Sequence, residues 1–376
     1  MSGRVSEAAT VQTARLLWEA CRAEPDPDAI GHALDGGADL PRAIAAAAEH
    51  RLVPLLWRAL GAAGALDRLG AQRDDLAAAA DALRMEALLL IPRAVALAIR
   101  PLTDAGLEPV VLKGPEVAGR YPAPGLRPME DIDVLLPQAE HARALDALQG
   151  VGWQVARGAG IDLYDTVLTH PDVPSLFLEL HYGLERTTQR VTALDPMVLW
   201  ERRQPTECGG TPAFRLPVTE ELVMLAAHAG KPHHRFVRLI WIADLAMVAS
   251  DAARRGTPVD WEAVRGFARD ARCVTVVGVA LTMARRAGVN VPPVLFSLPT
   301  GGRRGETMRS LASETWPLTH DGIPGYRLDY ALSTTDGRAR RMKVLLVRLA
   351  SGHGIRGRVR SATRLPRRVL GRAEHT

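Results

Sequence analysis

The sequence predicts an α+β protein, with a small sheet-bearing segment at its centre and helical regions on either side. Three observations carry that expectation. Apolar residues recur at three- and four-residue spacing up to about residue 97 and again from about residue 190, the period of helices with one buried face. Between these regions lie short apolar runs bounded by Gly and Pro, which read as buried strands. Their order is strand, turn, helix, strand, helix, strand, an alternation that folds into a compact α/β unit.

The N-terminal helical region, residues 1–97, is clearest in the run from Leu40 to Trp57, with Asp35-Gly-Gly and Gly61-Ala-Ala-Gly as punctuating turns. The α/β core, residues 98–188, begins where the texture changes at Pro101. Pro109-Val-Val-Leu-Lys-Gly is its first strand, turning at the glycine into a helix near Glu116–Arg120. A Pro/Gly loop, Tyr121-Pro-Ala-Pro-Gly-Leu-Arg-Pro, leads to a second strand, Asp131-Ile-Asp-Val-Leu-Leu-Pro. An amphipathic helix over 138–149 is closed by Gly150 and Gly152, and a third strand runs from Ser175 to Tyr182. The C-terminal helical domain, residues 189–292, holds helices over 236–254, 260–271 and 273–287. Another opens at Thr219-Glu-Glu-Leu, with acids in its first turn behind a Thr cap. Residues 293–376 are a Gly/Pro/Arg-rich stretch and a basic tail: twelve Arg or Lys and no acid lie between 338 and 372.

Composition narrows the function class. Of 376 residues, 47% are hydrophobic and 24% charged, which excludes wholesale disorder and a fibrous repeat. The longest apolar stretch, around Leu83–Ile99, is broken by Arg84, Glu86 and Arg93, so no membrane span is expected. The N-terminus carries Glu7 and Glu19 and lacks an apolar run of the kind a signal peptide needs. Cys21, Cys208 and Cys273 are far apart, which argues against a disulfide framework or a zinc site and for a cytoplasmic location. Only three of the 47 basic residues are lysines, Lys113, Lys231 and Lys343. In a chain that uses Arg almost everywhere, a retained Lys marks a place where a compact ammonium suits better than a planar fork, such as a narrow phosphate site.

A D-x-[DE] triplet alone says little in a chain with 42 acids, and Asp26-Pro-Asp28 supplies a decoy in a proline-broken loop. Asp131-Ile-Asp133 differs because Val134, Leu135 and Leu136 follow without a break. Residues i and i+2 of a strand share a face, so two carboxylates there repel unless a cation lies between them. Magnesium, which takes oxygen ligands, is the natural candidate, with manganese as a substitute. Glu179, a lone acid inside Leu176-Phe-Leu-Glu-Leu-His181, needs the same compensation. Three such acids on neighbouring strands can hold two metal ions in the manner of a phosphoryl-transfer site. Lys113-Gly114, at a strand-to-helix turn, is placed to cradle phosphate, and Arg127 can add a bidentate fork. His181, His228, Lys231 and Asp244 are candidate substrate contacts. His181 and Asp244 also read as satisfied core polar groups, and the His228–Arg235 run as a solvated helix end.

The runs Val110-Val-Leu-Lys-Gly-Pro-Glu, Leu126-Arg-Pro-Met-Glu-Asp-Ile-Asp and Leu178-Glu-Leu-His together resemble the bacterial uncharacterised nucleotidyltransferases of the DNA polymerase β superfamily. His50-Arg-Leu-Val-Pro-Leu-Leu and Arg238-Leu-Ile-Trp-Ile-Ala-Asp244 add to the likeness, which spans roughly residues 40–250. The resemblance implies a mixed-sheet polymerase β-like core with Asp131, Asp133 and Glu179 as catalytic magnesium carboxylates. It also implies that Gly114 stands where that superfamily has a Gly-Gly or Gly-Ser pair, here replaced by Lys-Gly. The partners it implies are an NTP or other nucleotide donor and a small-molecule, peptide or protein acceptor. Three rival readings remain: a non-catalytic nucleotide- or partner-binding module, transfer of another phosphate-linked group, and nucleic-acid binding through the tail. The tail reading is disfavoured because no aromatics interleave with the arginines.

Overall fold

The computed structural model describes residues 6–158, 164–185, 192–319, 326–337 and 341–342. The basic tail falls almost wholly outside them. The chain opens with four short helices, α1 (Glu7–Ala20), α2 (Pro27–Asp35), α3 (Leu40–Glu49) and α4 (Val53–Ala62), and a long one, α5 (Arg73–Asp104). The decoy Asp26 turns out to be the N-cap of α2. Its Oδ1 accepts hydrogen bonds from the backbone N–H groups of Asp28 and Ala29, an ordinary structural use of that residue type.

Next come β1 (Val110–Val111), α6 (Pro115–Ala118), β2 (Asp131–Leu135), α7 (His141–Gln149), β3 (Gln154–Arg157), β4 (Asp165–Thr169) and β5 (Phe177–His181). After α8 (Pro196–Glu201), β6 (Gln204–Cys208) and β7 (Thr211–Arg215) form a hairpin. Helices α9 (Val218–Ala229), α10 (Ile240–Arg254), α11 (Trp261–Asp270) and α12 (Val274–Arg286) follow, then α13 (Gly302–Leu311), α14 (Trp316–Thr319) and α15 (Tyr326–Thr334). No helix among the described residues is long and apolar enough to cross a membrane. Helix α9 starts one residue earlier than expected, after Pro217, and Thr219 makes no side-chain cap.

The strands form one mixed seven-stranded sheet in the order β3-β4-β5-β2-β1-β7-β6. The pairs β2/β5 and β1/β7 are parallel and the others antiparallel. Three of these strands match the expected ones. The β6–β7 hairpin lies where the sequence reads as helical, because Pro205 and Pro212 interrupt its apolar pattern. Its turn is nonetheless well specified: Gly209 and Gly210 have φ of 59° and 73°, and a two-residue hairpin loop with positive φ at both positions favours glycine.

Alternation within the central strands assigns their faces. Ile132, Val134, Leu178 and Leu180 point into an apolar cluster closed by the second half of α5 and by α7. Leu112 and Leu135 point the other way, into a larger cluster that contains Leu16 and Leu55 from the N-terminal helices. The same cluster contains Val223, Met247 and Val279 from α9, α10 and α12. The two helical regions, far apart in sequence, therefore share one core over one face of the sheet, and that face carries Asp131 and Asp133.

Candidate active site

Parallel pairing sets Asp133 directly opposite Glu179, and Asp131 opposite Phe177. Because the face repeats every second residue, Asp131, Asp133, Glu179 and His181 all project to one side. Asp133 is fully buried, His181 nearly so, and Glu179 and Asp131 are partly open. Lys113, just past β1, reaches over from the next strand. Its Nζ lies 2.7 Å from Asp133 Oδ1 and 3.7 Å from Asp131 Oδ2. The His181 Nε2–H donates to Asp133 Oδ1 at 2.8 Å and lies 3.4 Å from Glu179 Oε2.

Charges of opposite sign thus alternate across the site, and each alters its neighbours. Burial works against the charged form of Asp133, but Lys113 and His181 outweigh it and hold the carboxyl well below its usual range. Burial raises Asp131, with Lys113 only partly offsetting it. Glu179 is lowered: burial opposes its charge, and the His181 hydrogen bond prevails. Burial likewise disfavours the imidazolium of His181, but the hydrogen bonds to Asp133 and Glu179 push it up to about 9.

The donor set fits a divalent cation. Ligand atoms of Asp133, Glu179 and His181 lie within 4.8 Å of one another. Asp133 Oδ2 is buried with no hydrogen-bond partner, and such an orphan is costly unless a further cation engages it. Asp131 is not one of this trio; its Oδ2 lies 3.7 Å from the Lys113 ammonium, which it shares with Asp133.

A pH dependence follows from His181. Its folded value, about 9, lies above the ordinary 6.5, so its contribution to stability is fully present below pH 6.5 and is lost as pH rises through about 9. In metal-free protein the melting temperature is expected to fall across that window, and His181→Gln to flatten the fall. Equal slopes for the two proteins in calorimetry would show that the pairing stabilises nothing.

Above the carboxylates opens a cleft of about 510 Å³. Lys113, Arg127, Asp131, Glu179, His228 and Lys231, all singled out from the sequence, line it. Asp133 and His181 lie beneath, bordering a narrow gap with Lys113. Two of the chain's three lysines thus face one cleft, and Lys343 lies outside the described residues. Lys231 is buried, and its Nζ has no hydrogen-bonded or ion-paired partner among the described residues; it lies 5.0 Å from the Tyr164 ring centroid. Burial and the Lys113 charge lower its proton affinity. His228 and His234 are also lowered, chiefly by burial, His234 to about 2, so both are neutral. The His234 ring lies against the indole of Trp241, with centroids 4.5 Å apart.

Three expected site residues have further structural duties. Gly114 is buried and does not line the cleft. It has φ of 65°, and a Cβ there would meet the Asp131 carbonyl oxygen at 3.0 Å, which accounts for the glycine. Arg127 grips Asp244 with both arms of its fork, Nε to Oδ1 at 2.7 Å and one terminal nitrogen to Oδ2 at 2.9 Å. The Tyr121 hydroxyl donates to the same Oδ1 at 2.7 Å. Asp244 therefore sits behind the cleft wall as the anchor of Arg127.

Sequence reasoning did not single out Arg51, Arg157, Tyr164, Arg238 or Trp241 as site residues and weighed His234 only as part of the His228–Arg235 run; all of them line the cleft. They come from loops and from the ends of strands and helices distant in sequence, and single arginines carry no signal in so Arg-rich a chain. A family model described as an uncharacterised nucleotidyltransferase matches residues 36–287, a span that includes every residue named at this site. No curated protein and no solved structure matches the chain.

Proposed function

The chain belongs to the uncharacterised nucleotidyltransferase family, and on that premise we propose that it transfers an NMP group from an NTP to a hydroxyl- or phosphate-bearing acceptor in a magnesium-dependent reaction. The observation that carries this reading is the pairing of Asp133 with Glu179 across parallel strands, with Asp131 beside them, on the floor of a basic cleft. The core on β1, β2 and β5 would then be of the polymerase β type.

In this mechanism the acceptor oxygen attacks the α-phosphorus, the bond to the β-phosphate breaks, and pyrophosphate leaves. Magnesium bound by Asp133, Glu179 and Asp131 would supply positive charge to the phosphates and lower the barrier electrostatically. Glu179, partly open to the cleft, takes the acceptor proton on its carboxylate. His181 orients Asp133 and Glu179 through the hydrogen bonds at Nε2. Lys113 and Arg127 are the proposed phosphate contacts, with the buried Gly114 turn setting the place of Lys113, and His228 and Lys231 the proposed acceptor contacts, with Asp244 fixing Arg127.

The Lys113 bridge between Asp131 and Asp133 favours a second reading, in which an already compensated site binds nucleotide without chemistry. Thermal shift with each of the four NTPs, with and without Mg²⁺, tests nucleotide binding, and pyrophosphate release tests transfer. We expect one NTP to stabilise wild type only with Mg²⁺, by roughly 2.7 kcal/mol at a hundred times its dissociation constant. Glu179→Gln is expected to keep the fold and lose transfer. No stabilisation by any NTP would remove the transferase reading; stabilisation without pyrophosphate release from any acceptor would favour the second.

A further inference from the structure

Arg51 and Arg238 reach the cleft from segments far apart in the sequence, Arg51 from the turn between α3 and α4 and Arg238 from the loop before α10. Their loops are clipped together. The backbone N–H of Ile240 donates to the His50 carbonyl at 3.3 Å, and His50 Nδ1 lies 3.1 Å from the Val237 carbonyl. Both loops hold unusual backbone. Among the described residues four non-glycines have positive φ, and three of them are here: Arg51 at 60°, Arg235 at 48° and Phe236 at 60°. Left-handed conformation at bulky side chains is uncommon, and it concentrates where function constrains the chain. At Arg51, just past the end of α3, it occupies the position where glycine usually terminates a helix.

The pairing of charges sets these two arginines apart from Lys113, Arg127 and Arg157; Lys231, also unpaired among the described residues, offers a point charge rather than a fork. Lys113 is committed to Asp131 and Asp133, Arg127 to Asp244, and Arg157 to Asp165. Among the described residues Arg51 pairs only with Glu130, whose side chain is 63% exposed. Arg238 has no hydrogen-bonded or ion-paired side-chain partner among the described residues; its guanidinium lies 6.0 Å from the Trp241 ring centroid. The two also oppose each other: burial and then the Arg238 charge push Arg51 down to about 10. One fork is unclaimed and the other is shared only with an exposed carboxylate, an arrangement that a multivalent anion can complete.

We propose that Arg51 and Arg238 form an anion subsite at the Asp131 edge of the cleft and receive the polyphosphate tail of a nucleotide. The nucleotide part of this inference rests on the proposed function; the polyphosphate part does not. The subsite adds two forks to the phosphate contacts expected of Lys113, Gly114 and Arg127, the Arg127 fork already serving Asp244. The cleft volume lies within the usual range of small-ligand sites, about 300–1,000 Å³, and a polyphosphate chain offers oxygens to both forks at once.

The test uses the full chain, titrated calorimetrically with inorganic tripolyphosphate after metal is removed and, separately, with NTPs in the presence of Mg²⁺. Wild type is expected to bind tripolyphosphate at one site. Arg51→Gln and Arg238→Gln should each weaken it about tenfold or more, the loss of a charge-assisted fork. Arg51→Lys should fall between, since it keeps the charge and loses the fork, and Arg269→Gln, on an exposed face of α11, should bind as wild type. Circular dichroism verifies that each variant is folded. Tripolyphosphate binding that is absent in wild type, or unchanged in both Gln variants, overturns the subsite. NTP binding that survives in the Gln variants at wild-type strength also overturns it while leaving the transferase reading intact. Arginine-dependent tripolyphosphate binding with no added affinity for any NTP keeps the subsite and removes the nucleotide reading.

Discussion

Asp133→Asn is expected to abolish nucleotidyl transfer and to loosen the fold at the same time. The loss of activity follows from the proposed chemistry: a carboxylate that holds the charge facing a transferring phosphate contributes several kcal/mol, so the rate should drop about a thousandfold or more. The loss of stability follows from geometry alone. Asp133 Oδ1 is the shared acceptor of Lys113 at 2.7 Å and His181 at 2.8 Å, all three side chains being buried. Removing one partner of a buried ion pair leaves the other uncompensated, at about 3–5 kcal/mol. The double variant Asp133→Asn/Lys113→Met removes both charges and is expected to recover much of that stability while remaining inactive. Urea unfolding measures the first property and pyrophosphate release the second. Additive losses in the double variant would refute the coupling.

The second large effect is expected at Arg127 and Asp244, which tie the loop before β2 to helix α10. Arg127→Met alone should cost about 3–5 kcal/mol, since Asp244 would be left as a buried unpaired charge. Replacing the whole network, Arg127→Met/Asp244→Leu/Tyr121→Phe, is expected to return stability to within about 1–2 kcal/mol of wild type, because no buried polar group is then orphaned. The stable triple variant also isolates any phosphate contact that Arg127 makes. NTP affinity equal to wild type in that variant would show its role to be structural.

Much of the central architecture was legible because it is encoded locally. Asp131-Ile-Asp133 flanked by Val134 and Leu135 has one geometry as a strand, with both acids on one face, and the apolar run fixes which residues face inward. The same reasoning located Glu179 and His181. Scarcity made Lys113 and Lys231 visible, and both face the cleft. What could not be read locally depends on the meeting of distant segments. Arg51 sits in a left-handed turn that its sequence gives no reason to expect, and Arg238 is one arginine among many; only the clip between His50 and the 237–240 loop brings them together. The register that pairs Lys113 with both aspartates is likewise a property of two strands, β1 and β2, and not of either alone. The β6–β7 hairpin was hidden for a different reason: its prolines conceal the strand pattern, although Gly209-Gly210 carried the turn signal.

The shared core of the two helical regions also constrains how this chain is made. Leu16, Leu55 and Leu60 leave the ribosome early, yet their partners Val223, Met247 and Val279 lie well over a hundred residues downstream. At about 5–20 residues per second, the wait for α9 after α4 lasts on the order of 10–30 s. For that interval the nascent N-terminal helices carry an apolar face without its full cover. The central sheet emerges during the wait and supplies Leu112 and Leu135 as a first partial cover, so translation order itself sets the sequence in which this core is closed.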